Sequence, residues 1–580
     1  MRGDCLLQTG SRDWLRFSQP VEIVETRMLD EVAGKLRAVE TAIKTHGWYA
    51  VGCLAYEAAP AFDRALRVRP PGGVPLLWFS LYDRVEKLDR LPETDRSSYS
   101  IGAWSPSVEW PTYERTIAQI KDHIARGDTY QVNYTYRLRA SFEGEAWPFF
   151  LDLARKQPRG YAAYLDLGSH ILCSVSPELL FTRTGRTLTA KPMKGTTARG
   201  RTLNEDRAHM TWLHQSEKNR AENVMIVDMI RNDLGRVADI GSVHVPALFE
   251  IERYPTVLQM TSTVTAQTDA SLVDIMTALF PCASITGAPK VRTMELIAEL
   301  ESTPRGVYTG CIGYMEPNGD AQFNVAIRTV TIDQSTQTAE YGVGGGIVWD
   351  SEAADEWREC EIKMRVLTQP PQVFDLIESI LWAPANGFWL LDLHWQRLIE
   401  SAEYFNIPID LSTLNGQLAE LHQTWAPVPH KIRITISQLG EVTISAAPVQ
   451  SLPQPMRITL AAGPVDSRDI FLYHKTTRRT VYEAARAQRP GMDDVLLWNE
   501  RGEITESTIA NVVVELKGVR YTPPIECGLL GGTFRRSLLD QNLIRERVIL
   551  KEEVLSAERV WLINSVRGWL ETHLTMSDEL

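Results

Sequence analysis

The sequence predicts an α+β protein of two or three domains, and three observations carry that expectation. At 580 residues the chain is longer than one ordinary core encloses. Helical and strand patterns occur in mixed order rather than as strand–helix repeats, which favours a large antiparallel sheet over a doubly wound fold. The segment Thr368-Gln369-Pro370-Pro371-Gln372 interrupts both patterns, because two prolines stop a helix and a new apolar alternation begins at Val373. The expected boundary lies near residue 371.

The first hundred residues are the least informative. Gly47-Trp48-Tyr49-Ala50-Val51-Gly52 reads as strand and turn, and Pro70-Pro71-Gly72-Gly73 as a loop. Residues 216–234 read as a helix, since Val227, Ile230 and Leu234 recur on one face and Gly235 supplies a stop. Residues 306–348 read as strands with glycine-rich turns, Tyr341 to Gly346 among them, and a helix over 351–366 follows. Beyond the prolines, strands are expected at 373–382, 431–437, 441–447, 494–499 and 510–516, with helices near 392–405, 475–488 and 533–542.

Hydrophobic residues at 44% and charged residues at 23% fit a soluble globular enzyme. A net charge of −12 argues against nucleic acid or an anionic membrane as the main partner, so an anionic ligand would need a local cationic cluster. The seven cysteines are scattered, without Cys-x-x-Cys, as expected in a reducing cytoplasm. No signal-peptide core follows Met1, and no apolar run approaches the roughly 18 residues of a membrane span.

Two lysines stand in settings that suit an amine catalyst. Lys194 lies in Lys191-Pro192-Met193-Lys194-Gly195-Thr196-Thr197, and Lys475 in Tyr473-His474-Lys475-Thr476-Thr477-Arg478-Arg479 at an expected helix start. A lysine attacks only as the neutral amine, so burial or nearby positive charge must lower its pKa. Around the first, Glu356, Glu359 and Lys363 share a helical face, and Glu222 lies on another helix. Carboxylates from separate helices suit Mg²⁺, although spacing alone fits a solvated acidic face equally. Gly344, Gly345 and Gly346 offer backbone amides to an anion, and Arg328 stands in an apolar strand where it could clamp the same group. Around the second, Glu506 precedes a strand and Gly531-Gly532-Thr533 opens a helix, the parts that a pyridoxal phosphate site requires. A plain α/β domain with a surface lysine accounts for the same residues.

Read in order, the motifs of the first part resemble the chorismate-utilising enzymes: anthranilate synthase, isochorismate and salicylate synthases, and aminodeoxychorismate synthase component I. They are Gly127-Asp128-Thr129-Tyr130-Gln131-Val132-Asn133, Ser174-Val175-Ser176-Pro177-Glu178, Lys191 to Thr197, Ala221 to Arg236, Ser284-Ile285-Thr286-Gly287-Ala288-Pro289-Lys290, Gly306-Val307-Tyr308-Thr309-Gly310, Ala326 to Thr329 and Gly344 to Lys363. The resemblance implies an anthranilate synthase component I-like antiparallel-sheet domain, with residues 1–105 as an N-terminal subdomain and 106–370 as the catalytic part. It implies Glu222 and Glu359 as Mg²⁺ ligands with Glu356 assisting, and Tyr308, Arg328, the 344–346 amides, Lys363 and Thr286 as chorismate contacts. At the Lys194 position anthranilate synthases carry alanine, whereas aminodeoxychorismate synthases carry this lysine as a nucleophile that attacks C2 of chorismate and expels the 4-hydroxyl. Ammonia then adds at C4 and expels the lysine. Gln259 replaces a histidine of the anthranilate synthases, and the resemblance leaves the proton donor for the leaving hydroxyl unassigned. No cysteine sits in a Gly-x-Cys-x-Gly elbow, so ammonia is expected from a separate glutamine amidotransferase subunit.

Residues from about 374 to 570 resemble the fold-type IV pyridoxal phosphate enzymes (branched-chain and D-amino acid aminotransferases and aminodeoxychorismate lyase), which implies a domain over 371–580. His394-Trp395-Gln396-Arg397-Leu398 matches their His-x-x-Arg-Leu. The resemblance implies Lys475 as the Schiff-base lysine, Glu506 as the pyridinium partner, and Arg397, Thr533, Phe534 and Ser565 around the phosphate. Gly531 stands where many relatives carry proline. A homodimer through this part is a state the resemblance allows. Together the two halves imply a cytoplasmic bifunctional enzyme of p-aminobenzoate synthesis for folate. The alternative is an anthranilate- or salicylate-type synthase fused to an aminotransferase-like domain.

Overall fold

A computed structural model describes residues 2–10, 13–92, 98–368, 373–421 and 425–575. Two compact units emerge: one of Met1–Ala198 and Met210–Gln372, the other of Arg199–His209 and Val373–Leu580. The expected joint, residues 369–372, lies outside the described residues.

The first unit is built on two large antiparallel sheets. In one, the long strand Gln131–Gly144 pairs with Thr338–Ile347, and the order continues through Thr329–Asp333, His170–Ser176, Tyr161–Asp166 and Cys5–Gln8. In the other, Met193–Ala198 pairs with Val257–Gln267, and the order runs through Thr187–Lys191, Leu179–Thr184, Ala321–Val325, Cys311–Met315 and Tyr49–Leu54. The alternating residues that face inward form a core of Leu7, Phe17, Val51, Trp78, Leu172 and Ile312. The outer faces are covered by helices. Val32–His46, Glu217–Gly235 and Leu272–Leu279 close one apolar layer. Trp110–Ala125, Ala146–Lys156 and Ala353–Thr368 close the other. Residues 1–105 form no subdomain of their own. Cys5–Gln8 and Trp14–Phe17 extend the first sheet, and Tyr49–Leu54 pairs with Cys311–Met315 in the second, because each strand's apolar face finds its cover only there.

Helix Glu217–Gly235 starts where Ser216 caps it, its side chain accepting from the Asn219 amide, and buries Val227, Ile230 and Leu234 as the spacing requires. The glycine run differs from expectation. Tyr341 to Gly346 is no turn but the body of strand Thr338–Ile347, in register with Gln131–Gly144.

The second unit holds a four-stranded antiparallel sheet, ordered Gly387–Phe388, Leu376–Ala383, His430–Ile436 and Val442–Pro448, and an eight-stranded mixed sheet. Leu376, Ile380, Ile432 and Ile434 pack beneath helix Leu391–Phe405. The expected helix over 475–488 begins only at Thr480, so Lys475 lies in irregular backbone ahead of it. That backbone is pinned, since the Ile377 amide donates to the Lys475 carbonyl. Segment Arg199–His209 belongs to this unit: Arg199 lies over the Tyr404 ring, Arg201 donates to the Tyr473 hydroxyl at 2.8 Å, and the Arg201 carbonyl contacts His474 Nε2 at 3.1 Å.

Candidate active sites

Lys194 occupies a bulge in the short strand Met193–Ala198, where the pairing register slips between Met193 and Thr196. Gly195 takes φ +92°, a backbone state that suits glycine, and a Cβ there would press against Asn219 at 3.1 Å. Gln259 clasps the bulge, with Nε2 donating to the Gly195 carbonyl at 2.9 Å and Oε1 accepting from Thr196 Oγ1 at 2.8 Å. Asn223 donates to the Lys194 carbonyl at 3.3 Å. The backbone is thus held from two sides, which leaves the side chain as the free part.

That side chain reaches the glycine strand of the opposite sheet. A Cβ built on Gly346 would stand 2.8 Å from Lys194 Nζ, and one on Gly345 would stand 3.0 Å from Glu356 Oε2. Neighbouring strand residues face opposite sides, so missing side chains open the strand end on both faces. The amide directions follow from the pairing. Asn133 and Thr135 send their amides away from the strand, to the Thr286 carbonyl and Glu301 Oε1. Their antiparallel partners Gly346 and Gly344 therefore also turn outward, beyond the point where pairing with Thr329–Asp333 ends at Tyr341. Lys363 Nζ already donates to the Gly344 carbonyl at 2.7 Å.

Lys363 also pairs with the half-exposed Glu359 at 2.7 Å. Burial pulls the Lys363 pKa down, but Glu359, with Cys360 and Glu356, holds it above the usual lysine value. Lys363, then burial working against it, leaves Glu359 below the usual carboxylate value. Glu356 accepts from Ser351 Oγ at 2.7 Å and is pushed up by burial and by Glu359. Glu222 is half-buried on helix Glu217–Gly235, adjacent to Asn223. Among the described residues no three Asp, Glu, His or Cys side chains lie close enough to enclose a metal, so the expected trio is not assembled. The Glu356–Glu359 pair remains, and its mutual repulsion is what a cation would relieve; Mg²⁺ needs only one or two protein carboxylates beside water and substrate.

Two expected contacts have other partners. The Thr286 hydroxyl donates to the Cys282 carbonyl at 3.1 Å, and Arg328 Nη1 donates to Gln157 Oε1 at 2.6 Å, with φ +48° at Arg328. Tyr308 packs on Gly342, where any Cβ would meet its ring at 2.2 Å. Glu178, quoted in a motif but given no role, is the main residue that the sequence did not assign. It joins strands His170–Ser176 and Leu179–Thr184, accepts from Ser284 Oγ at 2.6 Å, and is raised by burial to about 7 against the pull of Lys194 and Lys363.

In the second unit Lys475, Arg397, Glu506, Thr533, Phe534 and Ser565 all line one cavity of about 340 Å³. Burial, then Arg397, lowers Lys475 to about 8. Glu506 is raised by burial to about 7 and accepts from Tyr482 at 2.7 Å, Asn511 at 3.0 Å and the Leu530 amide at 3.2 Å. Thr533 and Phe534 begin helix Thr533–Asp540, where amides lack intrahelical acceptors. Arg397 is braced by Glu378, with Nε to Oε1 at 2.9 Å and Nη2 to Oε2 at 2.6 Å. Despite burial, Arg397 and His394 hold Glu378 at about 2. No sequence signal linked Glu378 to Arg397, since they meet only through packing of a helix on a strand.

The family model for chorismate binding enzymes matches residues 5–369. The chain belongs to the chorismate binding enzyme family. The amino-transferase class IV model matches residues 375–573. Among curated proteins, this chorismate binding enzyme is 38% identical over 359 residues to the aminodeoxychorismate synthase of Streptomyces griseus, covering 55% of the chain and 49% of that protein. It is 39% identical over 285 residues to aminodeoxychorismate synthase component 1 of Bacillus subtilis (strain 168), covering 49% of the chain and 59% of that protein. The chain thus spans about half the length of these curated relatives. Anthranilate synthase component I from Streptococcus pneumoniae TIGR4 aligns with a TM-score of 0.53 at 24% identity, covering 62% of this chain and 93% of that one, a likeness of fold. Among the described residues no helix is long and apolar enough to cross a membrane.

Proposed function

We propose that the chain makes p-aminobenzoate from chorismate in two steps, amination at C4 in the first unit and loss of pyruvate in the second. The observation that carries this reading is a lysine in each unit set beside the polar groups that the reaction needs. Lys194 Nζ points at the Gly346 backbone, and Lys475 lines the cavity that also holds Glu506.

In the first step the Lys194 amine attacks C2, both ring double bonds shift (C1=C2 to C1=C6 and C5=C6 to C4=C5), and the 4-hydroxyl leaves as water after taking a proton. Glu178 is the suited donor, because a carboxyl raised to about 7 is still about half protonated at pH 7, where an ordinary carboxyl has lost its proton. Ammonia then adds at C4 and expels the lysine amine. Lys363 and the outward amides of Gly344 and Gly346 hold the substrate carboxylate. Glu356 and Glu359 would hold Mg²⁺, with Glu222 of helix Glu217–Gly235 as the further carboxylate that the resemblance implies; the ion would neutralise substrate carboxylate charge. A separate amidotransferase supplies the ammonia, as the name component 1 of the Bacillus subtilis relative suggests.

In the second step pyridoxal phosphate fits the cavity, with Thr533 and Phe534 amides, Ser565 and Arg397 for its phosphate and Glu506 for its ring nitrogen. The cofactor supplies an electron sink when bound. Lys475, with its amine near pKa 8, takes the C4 proton, and aromatisation drives release of pyruvate.

The deciding experiment is product identification from chorismate, ammonium and Mg²⁺. Lys194→Ala should abolish amination yet leave pyruvate release from supplied 4-amino-4-deoxychorismate intact. Lys475→Ala should stop the sequence at 4-amino-4-deoxychorismate while chorismate is still consumed. Undiminished p-aminobenzoate from the Lys475→Ala protein would overturn the second step. A second prediction concerns nitrogen. Purified chain should turn over with ammonium and hardly at all with glutamine, and glutamate release from glutamine by the chain alone would refute a separate amidotransferase.

A further inference from the structure

The first unit matches its enclosed arginines with a carboxylate. Arg305 pairs with Glu301 at 2.6 Å, and Arg137 lies 3.7 Å from the same side chain. Arg328 departs from that pattern. It is half-buried, and no carboxylate lies within ion-pair distance among the described residues. Its partner is the neutral Gln157, whose Oε1 accepts from Nη1 at 2.6 Å. Burial pulls the Arg328 pKa below the usual arginine value, with Tyr341 and Tyr254 working against it. The backbone at Arg328 is also turned to φ +48°, a state that a non-glycine residue adopts at a cost.

Its place in the sheet gives the unmatched charge a use. Val330 pairs with Tyr341, and that register carried back to Arg328 would set it opposite Val343, next to Gly344. The Val175 amide donates to the Arg328 carbonyl at 3.0 Å, and the Thr309 amide to the Ala326 carbonyl at 2.9 Å, which ties this segment to the one that carries Tyr308. The Tyr341 hydroxyl donates to the Lys363 carbonyl at 3.1 Å. Burial raises Tyr341, while Arg328, Tyr308 and Lys363 all act on it, so both cations lie around one ring. Gln157 is held in a single orientation. It ends helix Ala146–Lys156 and is 5% exposed, with its backbone amide donating to the Leu153 and Ala154 carbonyls. Its Nε2 donates to the Arg159 carbonyl at 3.3 Å, and the Pro158 carbonyl between them accepts from Gln8 Nε2 at 3.1 Å. An arginine only donates and a carbonyl only accepts, so the carboxamide must turn its oxygen to Arg328. A glutamate at this position would hold the guanidinium equally but would cancel its charge.

We infer that Gln157 is a positioning residue for substrate binding: it orients Arg328 without neutralising it, so that the remaining guanidinium donors meet a substrate carboxylate. The inference rests on the proposed amination of chorismate and adds to it a side chain that acts through Arg328. A neutral acceptor suits this task because it settles the direction of the guanidinium and leaves the full charge for the anion. The rival role is purely structural, with Gln157 serving only to satisfy a buried N–H at the end of a helix.

The test compares the full chain with its Gln157→Glu and Gln157→Leu variants. Chorismate binding is read by equilibrium dialysis with Mg²⁺ and no ammonium, amination kinetics with ammonium, and stability by melting. Gln157→Glu keeps the acceptor and adds a charge, whereas Gln157→Leu removes the acceptor and leaves the arginine charge unmatched. The dissociation constant and KM for chorismate should rise at least about tenfold in Gln157→Glu, the scale of one charge-assisted hydrogen bond, with kcat within about threefold of the unaltered chain. The rise should be smaller in Gln157→Leu. A structural role reverses that order, because only leucine leaves the guanidinium N–H unpaired. Weaker binding by Gln157→Leu than by Gln157→Glu would therefore overturn the inference, as would unchanged binding by Gln157→Glu. A cycle with Arg328→Leu checks the route: in that background Gln157→Leu should change the dissociation constant less than about twofold, and a full additive loss would refute action through the arginine. Should Gln157→Leu fail to fold, Gln157→Asn, which draws the amide back by one methylene, takes its place in both comparisons. Failure of the amination reading looks different: the variants would rank in the same order for binding, and no 4-amino-4-deoxychorismate would form.

Discussion

Lysine and glutamate change roles in this protein through burial rather than through unusual chemistry. At a pKa near 8, roughly a tenth of Lys475 is a free amine at pH 7, against far below one percent for an exposed lysine. Glu178 is raised to about 7, so about half of it still carries a proton at pH 7. The sign of its pH dependence follows. If the protonated carboxyl donates to the leaving hydroxyl, kcat/KM for chorismate, expressed per unit of free ammonia, should fall as pH rises through about 7. Glu178→Gln should remove that limb and slow amination by roughly 10² to 10⁴. An unchanged pH profile in the variant would discard the assignment. That Lys475 and Glu506 would share one site was legible in the sequence because each lies in a local motif, and the structure places both in one cavity. Glu178 was not, because its partner Ser284 and the cations that act on it come from distant segments. Glu378 escaped for the same reason, and the hydrogen bonds of Thr286 and Arg328 to Cys282 and Gln157 were equally invisible, because buried polar groups take whichever acceptor packing brings near.

Glycine governs the elements that carry both sites. Gly532 caps helix Thr533–Asp540, and a Cβ there would fall 1.9 Å from Asn511 Oδ1. Asn511 in turn holds Glu506 and the Leu530 carbonyl. Gly532→Ala should therefore displace Asn511, cost about 1–3 kcal/mol of stability and weaken cofactor binding, measurable by denaturation and by absorbance titration. Gly346→Ala meets the end of Lys194 at 2.8 Å and the side-chain amide of buried Gln131 at 3.0 Å, so it should impair amination and lower the melting temperature only as far as Gln131 fails to shift. Periodicity in the sequence located helix Glu217–Gly235 and the strand pair His430–Ile436 and Val442–Pro448 well, since one face of each is buried. It mistook the glycine run for a turn, because glycine signals a turn and a close-packed strand alike. It also missed Met456–Leu460, which is defined by parallel pairing with Asp494–Trp498 and Gly568–Leu574 rather than by any local pattern.

At the scale of the whole molecule, the first unit's chain leaves it after Ala198 and rejoins it at Met210. Within the second unit that excursion supplies partners to Tyr404, Tyr473 and His474, the last adjoining Lys475. A fragment beginning at Val373 would lack all of them. It should melt below the same unit in the full chain and bind more of a dye that reports exposed apolar surface, and a synthetic 199–209 peptide should raise its melting temperature. Identical melting of fragment and unit would show the excursion to be dispensable.

The joint near residue 371 invites a reading as two beads on a string, and the excursion makes that reading wrong. The thread is stitched through the second bead before it reaches the knot. Heating should then give one cooperative calorimetric peak, because melting either partner pulls on a stretch that the other one uses. Recombination that swaps the coding region beyond residue 371 for a homologous one would carry over the seam and leave the stitch behind, so grafted fusions should express poorly unless residues 199–209 travel with their own second half.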